Sequence, residues 1–170
     1  WAGASFYVVK TELFTSKFPL FWPMRGGQRH LTHLGQARYV VTMTEALKTV
    51  AVLGGGSFGT ALAQLAAREG QSVRLWMCDE AQAKAINETR HNPRYLSDFE
   101  LHENISGTSD LEQALVGADW VMVAVPSQAV RSCLTEAKKY IGDVPLVLAA
   151  KGIETHSLMT MDEVVHDVLG

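Results

Sequence analysis

Four glycines fall within six residues, Gly54-Gly55-Gly56-Ser57-Phe58-Gly59, and their spacing fits G-x-G-x-x-G. Gly54 permits a tight turn, Gly56 lets a pyrophosphate come against the backbone, and Gly59 lets a following helix pack closely on a sheet. The unpaired N–H groups and positive dipole at a helix start then receive the phosphates. Glycines alone would equally make a flexible turn, so the surroundings must decide. Asp79 stands 20 residues after Gly59, the distance at which a carboxylate accepts hydrogen bonds from the ribose hydroxyls of a bound dinucleotide. Lys151 is a third candidate. It follows an apolar run and can offer a cation to a phosphate or a developing alkoxide, although, taken alone, a solvated lysine is the plainer reading.

The elements that must position these residues are legible around them. Thr49–Leu53 is a short β-branched run ending at the glycines, as suits a strand buried on both faces of a parallel sheet. Phe58, Ala61, Leu62, Leu65 and Ala66 predict one helical face, stopped at Gly70. Strands are expected at 73–77, 104–108, 120–125 and 146–150. Helices are expected over 80–90, from Leu111, from Val130 to Ile141, and through Leu158, Met161, Val165 and Val168, the last face lacking an obvious cover. Asn92-Pro93 reads as a helix stop. Strict alternation of strand and helix gives an α/β, Rossmann-type doubly wound, mainly parallel sheet. Lys151 then falls at the carboxyl end of a strand, where open α/β sheets bind ligands. Pro126 and Ser127, ending another strand, either border the same site or simply terminate the strand.

Composition narrows the classes. With 47% hydrophobic and 19% charged residues and a net charge of -3, the 170-residue chain reads as one globular domain. No basic surface recommends nucleic acid as a partner, and no apolar run approaches the roughly 18 residues of a membrane helix. Cys78 and Cys133 lack metal-ligand spacing, and Cys133 falls on an apolar helical stripe. His30 and His33 have no partner ligands, so no metal is expected, and a reducing, cytoplasmic setting is. Residues 1–42 differ from the rest. They carry five basic side chains against the single acid Glu12, and Phe18-Pro19, Trp22-Pro23 and Gly26-Gly27 break any period. They are expected to be an irregular leader outside the native protein, with the dinucleotide domain running over 43–170 from Met43.

Val52 to Ala63 resembles the amino-terminal fingerprint of the NAD(P)-dependent glycerol-3-phosphate dehydrogenases. The resemblance continues through Leu75-Trp76, Ile86 to Arg90, Asn92-Pro93-Arg94-Tyr95-Leu96, Ile105 to Leu115, Val123 to Ser127 and Ala150-Lys151-Gly152-Ile153-Glu154. It implies that Ser57 and Phe58 contact the cofactor and that Lys151 contacts both cofactor and glycerol phosphate. The implied reaction is the interconversion of sn-glycerol 3-phosphate and dihydroxyacetone phosphate by hydride transfer with NAD or NADP, feeding glycerophospholipid synthesis. A helical second domain and the proton-acceptor lysine are expected beyond Gly170, which leaves this stretch alone inactive and a homodimer open for the full-length enzyme. Many bacterial members carry Arg or His where Cys78 stands, so the cofactor leans toward NAD, with Arg74 as a cation within range for NADP. Two alternatives remain: a non-catalytic dinucleotide-binding module, or a related dehydrogenase of another hydroxy acid or sugar nucleotide. The latter should lack the Asn-Pro-Arg-Tyr-Leu and Lys-Gly-Ile-Glu segments.

Overall fold

The structure, a computed structural model, describes residues 48–170 and the backbone of Tyr7–Val9. Its strands are β1 (Tyr7–Val9), β2 (Thr49–Leu53), β3 (Ser72–Trp76), β4 (Ile105–Thr108), β5 (Trp120–Val123) and β6 (Leu146–Leu148). The helices are α1 (Ser57–Arg68), α2 (Glu80–Thr89), α3 (Leu111–Leu115), α4 (Val130–Ala137) and α5 (Met161–Leu169). One sheet of order β1-β6-β5-β2-β3-β4 contains them all. β2 to β6 run parallel, and β1 closes the β6 edge antiparallel. Tyr7–Val9 is thus a strand inside the segment expected to be irregular. The rest of 1–42, including His30 and His33, lies outside the described residues.

The buried alternation follows from the pleat, which sends neighbouring side chains to opposite faces. In β2, Val50 and Val52 point toward α1 and α2, where they meet Leu62, Ala63, Ala83 and Ile86. Ala51 and Leu53 point the other way, toward α3, α4 and α5, and meet Leu115, Val130, Leu134 and Val164. Cys133 sits in that second core, as its stripe predicts, and burial pushes its thiol up to about 12.

Two helical faces differ from expectation. Gly59, Leu62, Ala63 and Ala67 are the buried side of α1, whereas Phe58 and Leu65 are 51% and 61% exposed. The reason lies at Gly59: a Cβ there would come within 1.8 Å of the Gly54 carbonyl oxygen. Glycine alone permits that approach, so Gly59 faces the sheet and Phe58, its neighbour around the helix, faces out. At the carboxyl end, Leu158 stands in a left-handed turn before α5 and is exposed. Met161 and Val165, expected to lack cover, are buried against α4.

Candidate functional site

Strand register brings the site together. Leu148, Val123, Leu53 and Trp76 are paired in one row across β6, β5, β2 and β3. Each strand ends within a residue of that row, so the segments that follow all leave from one edge. The chain runs outward from β2 to β3 and β4, then returns to β5 and β6 on the other side. Such a reversal opens a crevice beyond the strand ends. A cleft of about 470 Å³ lies there, lined by Gly54, Gly56, Ser57 and Phe58 from the first turn, Cys78 and Asp79 after β3, Pro126 and Ser127 after β5, and Lys151 after β6. Every expected site residue reaches this cleft except Gly59, whose place is beneath it. The end of β6, which leads to Lys151, stands three interstrand spacings from the end of β3, about 14 Å at about 4.8 Å each.

The glycine turn is built to present donors. Gly54 has φ +127°, and a Cβ on it would meet the Ala124 backbone at 2.8 Å. Gly55 turns its carbonyl inward, accepting from Gln82 Nε2 at 2.7 Å and Asn92 Nδ2 at 3.0 Å. Gly56 caps α1 without a side-chain acceptor, whereas Asp79, Asp110 and the Thr160–Glu163 capping box serve α2, α3 and α5. The first N–H groups of α1 have no intrahelical partners by geometry, and no acidic side chain stands in that turn. On the side of Gly56 where a Cβ would be, no atom of the described residues other than its chain neighbours lies within 4 Å. Open space, donors and a helix dipole together fit a pyrophosphate.

Asp79 does two local jobs that its spacing does not announce. Its Oδ1 accepts from the Gln82 N–H at 3.2 Å as the α2 cap, and its Oδ2 accepts from Arg94 Nη1 at 2.8 Å. The Gln82 N–H, then the Arg94 guanidinium, hold its carboxyl below the ordinary carboxylate range. An ionised carboxylate has about four acceptor positions, so capacity remains for ribose hydroxyls. Arg74 is not the nearby cation. Its Nη1 donates to the Val116 carbonyl at 2.6 Å and the Gln113 carbonyl at 3.3 Å, below the strand ends, and Arg94 lines the cleft instead.

Sequence reasoning missed the residue that organises this side. Asn92, which the sequence marks as a helix stop and as part of the Asn-Pro-Arg-Tyr-Leu segment without a role of its own, is fully buried. Its Nδ2 donates to Gly55 O and to Thr60 Oγ1 at 2.8 Å, and its Oδ1 accepts from Gln82 Nε2 at 2.9 Å and the Arg94 N–H at 3.2 Å. One amide therefore ties the glycine turn to the segment carrying Arg94. At the base of that segment Arg90, left-handed at the end of α2, accepts from the Leu101 N–H at 2.7 Å through its backbone carbonyl, and its guanidinium donates to Leu101 O. A second network holds the stretch after Lys151. Arg131 Nε pairs with buried Glu154 at 3.0 Å, its Nη1 pairs with Asp167, and Gln128 Nε2 donates to Ile153 O at 2.9 Å.

Residues 49–170 match the family described as NAD-dependent glycerol-3-phosphate dehydrogenase, N-terminus. The chain belongs to this family. A glycerol-3-phosphate dehydrogenase (NAD(P)+) of Pseudomonas paraeruginosa is 44% identical over 126 residues, covering 74% of this chain and 37% of that protein. Its counterpart in Nitratidesulfovibrio vulgaris is 46% identical over 121 residues, covering 71% and 37%. The crystal structure of glycerol-3-phosphate dehydrogenase from Coxiella burnetii superposes with a TM-score of 0.67 at 34% identity, covering 72% of this chain and 38% of that one. A structure from Dunaliella salina shares the fold at TM-score 0.64 and 24% identity. The chain spans little more than a third of the length of the curated relatives. The family accounts for NAD or NADP as the cofactor class and for the α/β architecture. Among the described residues, no helix is long and apolar enough to cross a membrane, and no group of three or more His, Cys, Asp or Glu could hold a metal ion.

Proposed function

We propose that this chain is the dinucleotide-holding part of an oxidoreductase that interconverts sn-glycerol 3-phosphate and dihydroxyacetone phosphate, and that it acts in the cytoplasm. The observation that carries the reading is the convergence of Asp79, the glycine turn and Lys151 on one sheet edge in that lateral order. When bound, the nicotinamide supplies the hydride acceptor or donor. The chain's residues do the rest. The start of α1 holds the phosphates, with Ser57 and the exposed Phe58 ring against the cofactor. Asp79 takes the adenosine ribose on the β3 side. Lys151, three strands away, offers its cation to the glycerol phosphate and the far half of the cofactor. The Arg131–Glu154 pair and Gln128 fix the stretch that follows Lys151, so the cation is presented from a held backbone.

Titration of the 170-residue chain with NADH tests this directly. Saturable binding that Asp79→Ala and Gly56→Ala weaken is expected, without glycerol 3-phosphate turnover, because the proton acceptor is expected in a further domain. Absence of saturable binding overturns the reading, and so does robust turnover by this chain alone. In the full-length enzyme, Lys151→Ala should cripple glycerol 3-phosphate oxidation.

A further inference from the structure

Arg94 is the one residue of the cleft whose charge has no part in the function just described. Its backbone is anchored through Asn92 to the glycine turn, and its guanidinium lies 2.8 Å from the Asp79 carboxylate. Both side chains are open to solvent, 57% for Arg94 and 39% for Asp79. Of the described side chains that line the cleft, two are basic, Arg94 and Lys151. Lys151 follows β6, whose end is about 14 Å from the end of β3 by strand spacing, on the side opposite Asp79. At the ribose end the cleft is otherwise neutral or acidic, with Cys78 and Asp79 side by side.

The two dinucleotides differ at one position there. NAD(H) carries a 2′-hydroxyl, which donates to a carboxylate. NADP(H) carries a 2′-phosphate, which a bare carboxylate repels and a guanidinium binds through paired charge-assisted hydrogen bonds. A guanidinium has five N–H donors, and the Asp79 contact uses one. An exposed ion pair of this kind is held weakly, so Arg94 can leave Asp79 at little cost.

We propose that Arg94 is the specificity-determining residue that lets a single cleft take both cofactors. Paired with Asp79, it leaves the carboxylate's remaining acceptor positions to a 2′-hydroxyl. Turned outward, it meets the 2′-phosphate and still offsets the Asp79 charge beside it. The inference rests on the dinucleotide reading of the cleft and adds the residue that discriminates between its ligands.

The test is a titration of the 170-residue chain and its Arg94→Gln, Arg94→Lys and Asp79→Asn variants with NADH and with NADPH, each at two salt concentrations. Arg94→Gln should weaken NADPH about 10- to 100-fold more than NADH, the loss of one or two charge-assisted hydrogen bonds. It should also flatten the salt dependence of NADPH binding. Arg94→Lys should restore part of the loss, as a point charge without the fork. Asp79→Asn should move the preference the other way, toward NADPH. Thermal melts close to that of the parent separate these effects from unfolding, since Arg94 is an exposed residue. Arg94→Gln with an unchanged NADPH-to-NADH ratio overturns the inference while leaving the dinucleotide cleft intact. A parent chain that binds NADH but not NADPH does the same. A parent chain that binds neither overturns the cleft reading and the inference together.

Discussion

Gly56→Ala separates a glycine kept for the fold from one kept for a ligand. The backbone at Gly56 has φ -76° and ψ -177°, open to any residue. Its new methyl meets no atom of the described residues within 4 Å other than its chain neighbours. Alanine is a poorer helix cap than glycine by up to about 1 kcal/mol, and it recovers about 0.4–1 kcal/mol through a less flexible unfolded chain. The two nearly cancel, so the melting temperature should move by no more than about 4 °C. Affinity should respond quite differently. The methyl occupies the space through which a pyrophosphate reaches the N–H groups of α1. Losing one or two hydrogen bonds to a charged group costs about 2–4 kcal/mol, which is about 30- to 1000-fold in Kd. Gly59→Ala is the control in the opposite sense. Its Cβ would sit 1.8 Å from a backbone oxygen and 2.9 Å from the carbonyl carbon of Gly54, so α1 must shift by more than 1 Å. Overpacking of that kind costs about 1–3 kcal/mol, offset by at most about 1 kcal/mol of helix propensity. Circular-dichroism melts and NADH titration of both variants decide the matter. Gly56→Ala that binds NADH within threefold of the parent, or that melts as early as Gly59→Ala, refutes the pyrophosphate assignment.

Ellman's reagent should label one thiol in the folded chain, the exposed Cys78, and reach buried Cys133 only after denaturation; saturating NADH should slow the Cys78 reaction, because Cys78 lines the cleft. Arg131 chiefly, then Ser157, hold the Glu154 carboxyl below its ordinary 4.5, so its contribution to stability is present above that value and lost as pH falls through the lower folded one. Glu154→Gln should therefore melt a few degrees lower near neutrality and lose less on acidification from about pH 6 to about pH 3. A chain beginning at Met43 should keep its NADH affinity within about threefold, since Tyr7–Val9 pairs with β6 at the end of the sheet remote from the glycine turn and Asp79; a large loss with the fold intact would place that segment in the site.

What was legible in the sequence was local. The β-branched run of β2, the glycine spacing and each strand or helix of the alternation reside in a dozen residues or fewer, and taken in order they suffice to put Asp79 and Lys151 on one edge. The face of α1 follows contact distance rather than apolar count: Phe58 and Leu65 outweigh Gly59 in hydrophobicity, yet the close approach to Gly54 dictates which side turns in. Arg74, which sequence proximity offers as one cation for NADP, precedes Trp76, the strand end, by two residues, about 7 Å down the strand. Asn92 could not be found by spacing, since its partners Gln82, Thr60 and Gly55 lie 10, 32 and 37 residues away. The same separation hides the pairing of Arg131 with Glu154 and Asp167.

The segment from Arg90 to Leu101 has the properties of a cassette. Its two ends are stitched to each other at Arg90 and Leu101, and within it Asn92 is fastened to three residues of the body, Gly55, Thr60 and Gln82. Beyond Asn92, Phe99 is mostly exposed and Tyr95 and Leu96 stand partly in solvent. If Arg94 selects the cofactor, substitutions over 93–99 act on the surface beside Asp79 while the hydrogen bonds of Asn92 to the body stay in place. A protein built this way would then trade one redox currency for another through those seven residues, provided it keeps an amide at 92 and its three partners.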